Sequence, residues 1–245
     1  MNHIIRISLA VLGLGLLVGC ATPPSPWLET VTQVSTYDAL KAGRYDGQMA
    51  ISNLLAYGDT GLGTFDGLDG EMVVISGAVY QVSYDGQVSV APPQAMVPFA
   101  CVTWFEADAR FDSGPLTQAV FQKTMSWKNR APDQVQAIRV TGTFKQLKIR
   151  SVPRQQLPYP ALDRVVAENQ RTWDKAGAAG VMVGFYFPAS FAGVAPAGYH
   201  LHFISADRTF GGHVLDFELG AGRIELDTTP VAQLILPGPA PVRTP

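Results

Sequence analysis

Sixteen consecutive residues, Val135 to Arg150 (VQAIRVTGTFKQLKIR), run without a proline and are rich in β-branched and aromatic side chains. Such a run is a strand, and its length commits the chain to a fold built on sheets. The rest of the sequence supplies partners for it. Glu71–Ile75 and Ala78–Val82 flank Ser76-Gly77, a two-residue hairpin signal, and Asp85-Gly86 marks the next turn before Val88–Val90. The apolar run Pro98–Phe105 (PFACVTWF) has the character of a central strand, and from Gly180 onward GVMVGFYF, YHLHFIS, HVLDFEL and RIELD read as strands. Helical signals are few. Pro115 opens one helix, with Leu116, Val120 and Trp127 along one side, and Leu162, Val165, Val166 and Asn169 suit a short one beginning at Pro160. The reading is α+β, of the two-domain α/β kind, with mixed or antiparallel sheets and a few short helices. The proline-rich VPRQQLPYPAL is expected to cross between an N-terminal sheet domain, 37–152, and a C-terminal one, 153–230, with 231–245 a flexible tail.

The N-terminus reads as a processing signal. Arg6 precedes an apolar run from Ile7 to Gly19 that is too short for a lasting membrane span, and Leu17-Val18-Gly19-Cys20 resembles the bacterial lipobox. Residues 1–19 are therefore expected to be a lipoprotein signal peptide, with Cys20 acylated and 20–36 a Pro/Ser tether that includes ATPPSPW. Ala21 rather than Asp after the cysteine favours the outer membrane, facing the periplasm. Cys101 is then the single cysteine of the mature chain, which forbids an intramolecular disulfide and suits a buried small hydrophobe. A net charge of −2 from 18 basic and 20 acidic residues leaves no basic stripe, so nucleic-acid binding has no support.

The four histidines are His3, His200, His202 and His213, so three fall within fourteen positions. In YHLHFIS, His200 and His202 alternate with Tyr199, Leu201 and Phe203, which puts both imidazoles on one face of a strand about 6–7 Å apart. A hairpin closing through Gly211-Gly212 would bring His213 across from them. One histidine on an apolar strand is ordinarily a satisfied core residue; three on paired strands suit a metal site. Neutral imidazoles favour Zn²⁺, and three protein ligands leave an open coordination position, the mark of a catalytic centre on a C-terminal β-hairpin.

Several segments carry a family resemblance: YDGQM, YGDTGLGTFDGLDGEMV, GTFKQLKIRSVPRQ, YPAL and PAGYHLHFISADRTFGGHVLDFEL. From about Tyr45 to Asp227 the chain resembles the acetolactate decarboxylases. The resemblance implies zinc held by His200, His202 and His213, with Glu71, Arg150 and Thr64 lining the site. It also implies a homodimer of two-domain subunits and conversion of (S)-2-acetolactate to (R)-acetoin and CO₂. In that chemistry Arg150 would orient the carboxylate through its planar fork, and Glu71 would relay the proton if burial raises its pKa. One feature departs from the family, whose members also bring an acidic residue near the C-terminus into the site; no Asp or Glu follows Asp227 in this chain. A lipid-anchored, non-catalytic metal or small-molecule binder is the alternative. A cupin-like centre, which also uses His-x-His on strands, would want a Glu shortly after the pair, where this chain has Asp207-Arg208.

Overall fold

The computed structural model describes residues 29–129 and 131–238. In chain order the first elements are β1 Thr30–Val34, α1 Tyr37–Lys41, β2 Met49–Ala50, α2 Ile51–Leu54, β3 Thr60–Thr64, β4 Glu71–Ile75, β5 Ala78–Val82, β6 Val88–Val90, β7 Met96–Val97 and β8 Phe99–Thr103. They are followed by β9 Ala109–Ser113, β10 Leu116–Thr117, α3 Gln118–Lys128, β11 Val135–Ser151, α4 Leu162–Asn169, β12 Arg171–Phe187, β13 Gly198–Ser205, β14 Gly211–Thr229 and β15 Val231–Ile235. The fold is mostly β with a few short helices. No helix among the described residues is long and apolar enough to cross a membrane.

Seven strands form the first sheet in the order β15-β1-β8-β3-β4-β5-β6, antiparallel throughout except for the parallel pair β1–β15. The β4–β5 hairpin turns at Ser76-Gly77 as its sequence requires, with φ of 50° and 77° at the two positions. β8 lies inside the sheet and is buried along its whole length, with Cys101 a free, buried thiol. The second sheet is dominated by three long strands. β11 pairs with β12 on one side and β14 on the other, β12 pairs with β13, and β13 returns to β14 through His202–His213, Phe203–Gly212 and Ile204–Gly211. Strands β11 to β14 thus close into a ring. Irregularities in the β11–β14 register around Phe144 and Lys148 supply the bend that closure needs. Phe121, Phe144, Phe203 and Phe217 anchor the largest apolar cluster, with edge-to-face contacts between rings 5.3–5.9 Å apart.

Pairing moves several boundaries that composition had suggested. β12 begins at Arg171 rather than near Gly180, because RTWDKAGAAG, poor in strand-favouring residues, is held by β11 from Arg171–Ser151 onward. HVLDFEL and RIELD are one strand, β14. Residues 30–34, expected in a tether, are a fully buried strand between β8 and β15, and β15 itself occupies 231–235, where a flexible tail was expected. The seam at which the chain passes from the first sheet into the second falls between Thr103 and Ala109, and β11 pairs only with strands of the second sheet. Helix α3 starts at Gln118, after Leu116–Thr117 have paired with β14, and buries Phe121 and Met125; Val120 and Trp127 face solvent at 51% and 82% exposure. Helix α4, in contrast, buries Leu162 and Val165 as its spacing indicates. The signal peptide, Cys20 and the ATPPSPW segment lie outside the described residues.

The seam also buries a carboxyl at a cost. Asp227 on β14 is 2% exposed, and its Oδ2 accepts the Glu106 N–H at 3.3 Å. Burial, reinforced by Asp108, Glu29 and Glu106, pushes its pKa from 3.8 up to about 7. A folded-state value above the unfolded one means that stability is full below about 3.8 and is lost as the pH rises to about 7. Asp227→Asn removes the ionisation while its amide oxygen can still accept from Glu106. The variant should melt roughly 2–10 °C above the parent at pH 8 and within about 2 °C of it at pH 4, read by thermal denaturation. Equal shifts at both pH values would show that the ionised carboxyl is not the cause.

Candidate functional site

The three histidines meet because two strand periodicities and one register agree. His200 and His202 share a face of β13, and His202 lies directly across from His213 on β14. The connecting turn is fixed by Ser205, whose Oγ accepts from the Thr209 and Phe210 N–H groups at 3.1 Å each and donates to Asp207 Oδ1 at 2.6 Å. Asp207 and Arg208 therefore serve the turn: Arg208 adopts φ 60°, donates to the Ser205 carbonyl and lies over the Tyr80 ring. Neither belongs to the site, so the acid a cupin-like centre would require is missing from the hairpin.

One nitrogen from each imidazole lies within 4.8 Å of the other two, and the ring centroids are 5.1–5.2 Å apart. His202 Nδ1 sits 2.8 Å from the Met72 carbonyl oxygen. As donor there, it leaves Nε2 unprotonated and aimed at its neighbours, the usual way a backbone acceptor orients a metal-binding histidine. His213 Nδ1 is 3.2 Å from that Nε2. His200 Nδ1 is buried without a hydrogen-bond partner. Burial first, and the neighbouring histidines and Arg150 next, hold His200 and His213 well below the ordinary imidazole range; burial brings His202 down to about 3, against the Met72 bond and with help from Arg150. All three rings are thus neutral and present lone pairs. A largely enclosed cluster of unprotonated imidazole nitrogens facing one another is poorly satisfied by itself and well suited to a cation.

The first sheet brings the acid. Glu71 opens β4, 6% exposed, with Oε2 3.4 Å from His202 Nε2 and Oε1 3.4 Å from the Arg150 guanidinium. Burial raises its pKa to about 7, opposed by the charge of Arg150. Arg150 reaches the same place from β11, where it pairs with His213. Thr64 lies opposite Glu71 in the β3–β4 register, and its hydroxyl donates to the Gly70 carbonyl at 2.7 Å. That bond fastens the residue just before Glu71. Thr64, Glu71, Arg150, His200, His202 and His213 line a single cavity of about 220 Å³ at the junction of the two sheets.

The family is decided by the span of the match: the model of the alpha-acetolactate decarboxylase family covers residues 31–241. The chain belongs to the alpha-acetolactate decarboxylase family. An alpha-acetolactate decarboxylase of Methanosarcina mazei is 41% identical over 212 residues, covering 85% of this chain and 73% of its own length. That of Klebsiella aerogenes is 40% identical over 196 residues, covering 79% and 75%. The crystal structure of the Bacillus subtilis strain 168 alpha-acetolactate decarboxylase superposes with a TM-score of 0.84 at 34% identity, over 86% of this chain and 90% of that one.

Within this alpha-acetolactate decarboxylase scaffold, every candidate site residue that lies in the described part of the chain lines the one cavity. Sequence reasoning did not identify the Met72 carbonyl, since a backbone acceptor carries no residue signature. It also missed the wall facing the histidines, to which α1 contributes Tyr37 and Leu40 and α4 contributes Leu162. Glu71 is the only carboxylate lining this cavity among the described residues.

Proposed function

We propose that this chain converts (S)-2-acetolactate to (R)-acetoin and CO₂ in the cavity between its two sheets. The observation that carries the reading is the convergence of three neutral imidazoles, a carboxyl raised to about 7 and a partly buried guanidinium on one small cavity. The donor set fits Zn²⁺, with His200, His202 and His213 as its holders. A bound zinc ion supplies Lewis-acid polarisation of the substrate's hydroxyl and ketone oxygens.

The remaining work falls to the protein. The Arg150 guanidinium binds the departing carboxylate through its planar fork. As the bond to CO₂ breaks, its electron pair enters the adjacent ketone and leaves an enediolate. Glu71 delivers a proton to one face of that enediolate, at the carbon that carried the carboxylate, and so sets the configuration of acetoin. A carboxyl whose pKa lies near neutrality is matched to this task. The Thr64 hydroxyl positions Glu71 by holding the Gly70 carbonyl. The apolar wall keeps bulk water from the developing charge.

The alternative is a non-catalytic relative that holds a metal or small molecule in the same cavity. Metal capture alone, however, requires neither Glu71 nor Arg150. Zinc-loaded mature protein should release CO₂ and (R)-acetoin in equal amounts from (S)-2-acetolactate. Zinc binding with no release of either product would establish the binder instead.

The sequence supports a setting as well. We propose that Cys20 anchors the mature chain by acylation to the outer membrane, facing the periplasm, and that the protein is a homodimer. Cys20→Ser expressed in a Gram-negative host should move from the membrane fraction to the soluble one. A native protein already soluble, with Met1 intact, would overturn the anchor.

A further inference from the structure

The cavity has two chemically distinct halves. The polar half, formed by the histidines, Glu71 and Arg150, comes from β4, β11, β13 and β14. The opposite half is apolar: Tyr37 and Leu40 of α1, Leu162 of α4, and Leu68, Phe99 and Val152 between them. These residues belong to one cluster, and Leu40 and Leu162 keep only 6% and 7% of their surface exposed.

This wall is rigid for a local reason. Helix α1 is capped by Thr36, whose hydroxyl accepts the Ala39 N–H at 3.1 Å. Its far end turns through Gly43 at φ 82°, and a Cβ there would sit 2.9 Å from the Pro160 carbonyl oxygen. The backbone leading out of α1 is therefore docked directly on the backbone leading into α4. Leu40 lies three residues before that contact and Leu162 two residues after it. Neither side chain can retreat without separating the two segments, so a longer ligand cannot simply push the wall back.

A 2-hydroxy-3-oxo acid has all its oxygens on three adjacent carbons. When these face the polar half, its alkyl branch must face the other. We infer that Leu40 and Leu162 form the alkyl subsite and set the longest branch at C2 that the site accepts, discriminating 2-methyl from 2-ethyl substrates. The inference rests on the decarboxylase reading for its chemistry. It adds two specificity-determining residues on helices that supply none of the residues assigned to metal binding, carboxylate binding or proton transfer.

One methylene in a closed apolar pocket changes kcat/KM by about 10–200-fold when the wall does not yield. The test is kcat/KM for 2-ethyl-2-hydroxy-3-oxobutanoate divided by that for the 2-methyl substrate, with zinc-loaded full-length variants. Leu162→Ala should raise this ratio by about 5–50-fold, with Leu40→Ala in the same direction, and Leu162→Phe should lower it. Leu162→Val, which trims the wall least, should raise it by a smaller factor and serves if the alanine variant does not fold. A ratio within about twofold of the parent in all folded variants overturns the subsite. If the parent decarboxylates neither substrate, the decarboxylase reading fails by itself. Calorimetric binding of the unreactive 2-methyl- and 2-ethyl-2,3-dihydroxybutanoates then decides the subsite by the same ratio, with preserved discrimination in Leu162→Ala overturning it.

Discussion

His202→Ala is expected to reduce bound zinc from about one ion per chain toward none, and decarboxylation with it. Of the three rings, His202 is the most tightly specified. It is 1% exposed, its Nδ1 is engaged by the Met72 carbonyl, and its Nε2 lies 3.2 Å from His213 Nδ1. Removing it takes away both a ligand and the hydrogen bond from β13 to the Met72 carbonyl of β4. The remaining two nitrogens fall short of the three protein ligands that a catalytic zinc site uses. Metal analysis by mass spectrometry reads the result, with circular dichroism confirming that the fold persists. Chelation supplies an independent arm. A bound metal stabilises the folded chain in proportion to its occupancy, so a strong chelator should lower the parent's Tm and leave the variant's unchanged. Full zinc content in His202→Ala would sink the three-histidine assignment, whatever happens to activity.

That centre was readable from the sequence because its geometry is local. Two histidines two apart on a strand share a face, and a short hairpin with glycines at its close restores the third across from them. No long-range information is needed. The β4–β5 hairpin was legible for the same reason, since Ser76-Gly77 can do little else between two apolar runs. The errors lie where the partner strand decides. RTWDKAGAAG has no strand character of its own and becomes the first half of β12 only because β11 is extended alongside it. Thr30–Val34 and Val231–Ile235 sit beside Pro-rich stretches that read as irregular, yet each completes the other as a parallel pair at one side of the first sheet. Trp127 shows the converse: the helix begins three residues later than Pro115 implied, Phe121 and Met125 take its buried face, and Trp127, near helical spacing from Val120, faces solvent at 82% exposure. Glu71 and Arg150 are a third case. They are 79 residues apart and meet across two sheets, so their 3.4 Å ion pair was accessible through family resemblance alone.

Glu71→Gln should lower turnover by about 10²–10⁴ while leaving zinc content unchanged. Glutamine keeps the length and shape of the side chain, and its amide can still meet Arg150 and His202. What it cannot do is give up a proton to carbon and take one back. In the parent, burial holds the carboxyl near 7, so it carries a proton for an appreciable fraction of the time at neutral pH and loses it more fully as the pH rises. A fall in kcat toward higher pH that is present in the parent and absent from the residual activity of the variant would mark Glu71 as the titrating group. The stereochemistry gives a second readout. Without a fixed donor on one face, the enediolate is protonated by water from either side, and the acetoin formed should lose enantiomeric excess even where its amount is small. Thr64→Val, which releases the Gly70 carbonyl but keeps the carboxyl, should cost less rate and retain the parent's pH dependence. If Glu71→Gln instead makes (R)-acetoin at the parent rate, Glu71 is structural, and the proton reaches carbon from a group that no carboxylate of the described cavity supplies.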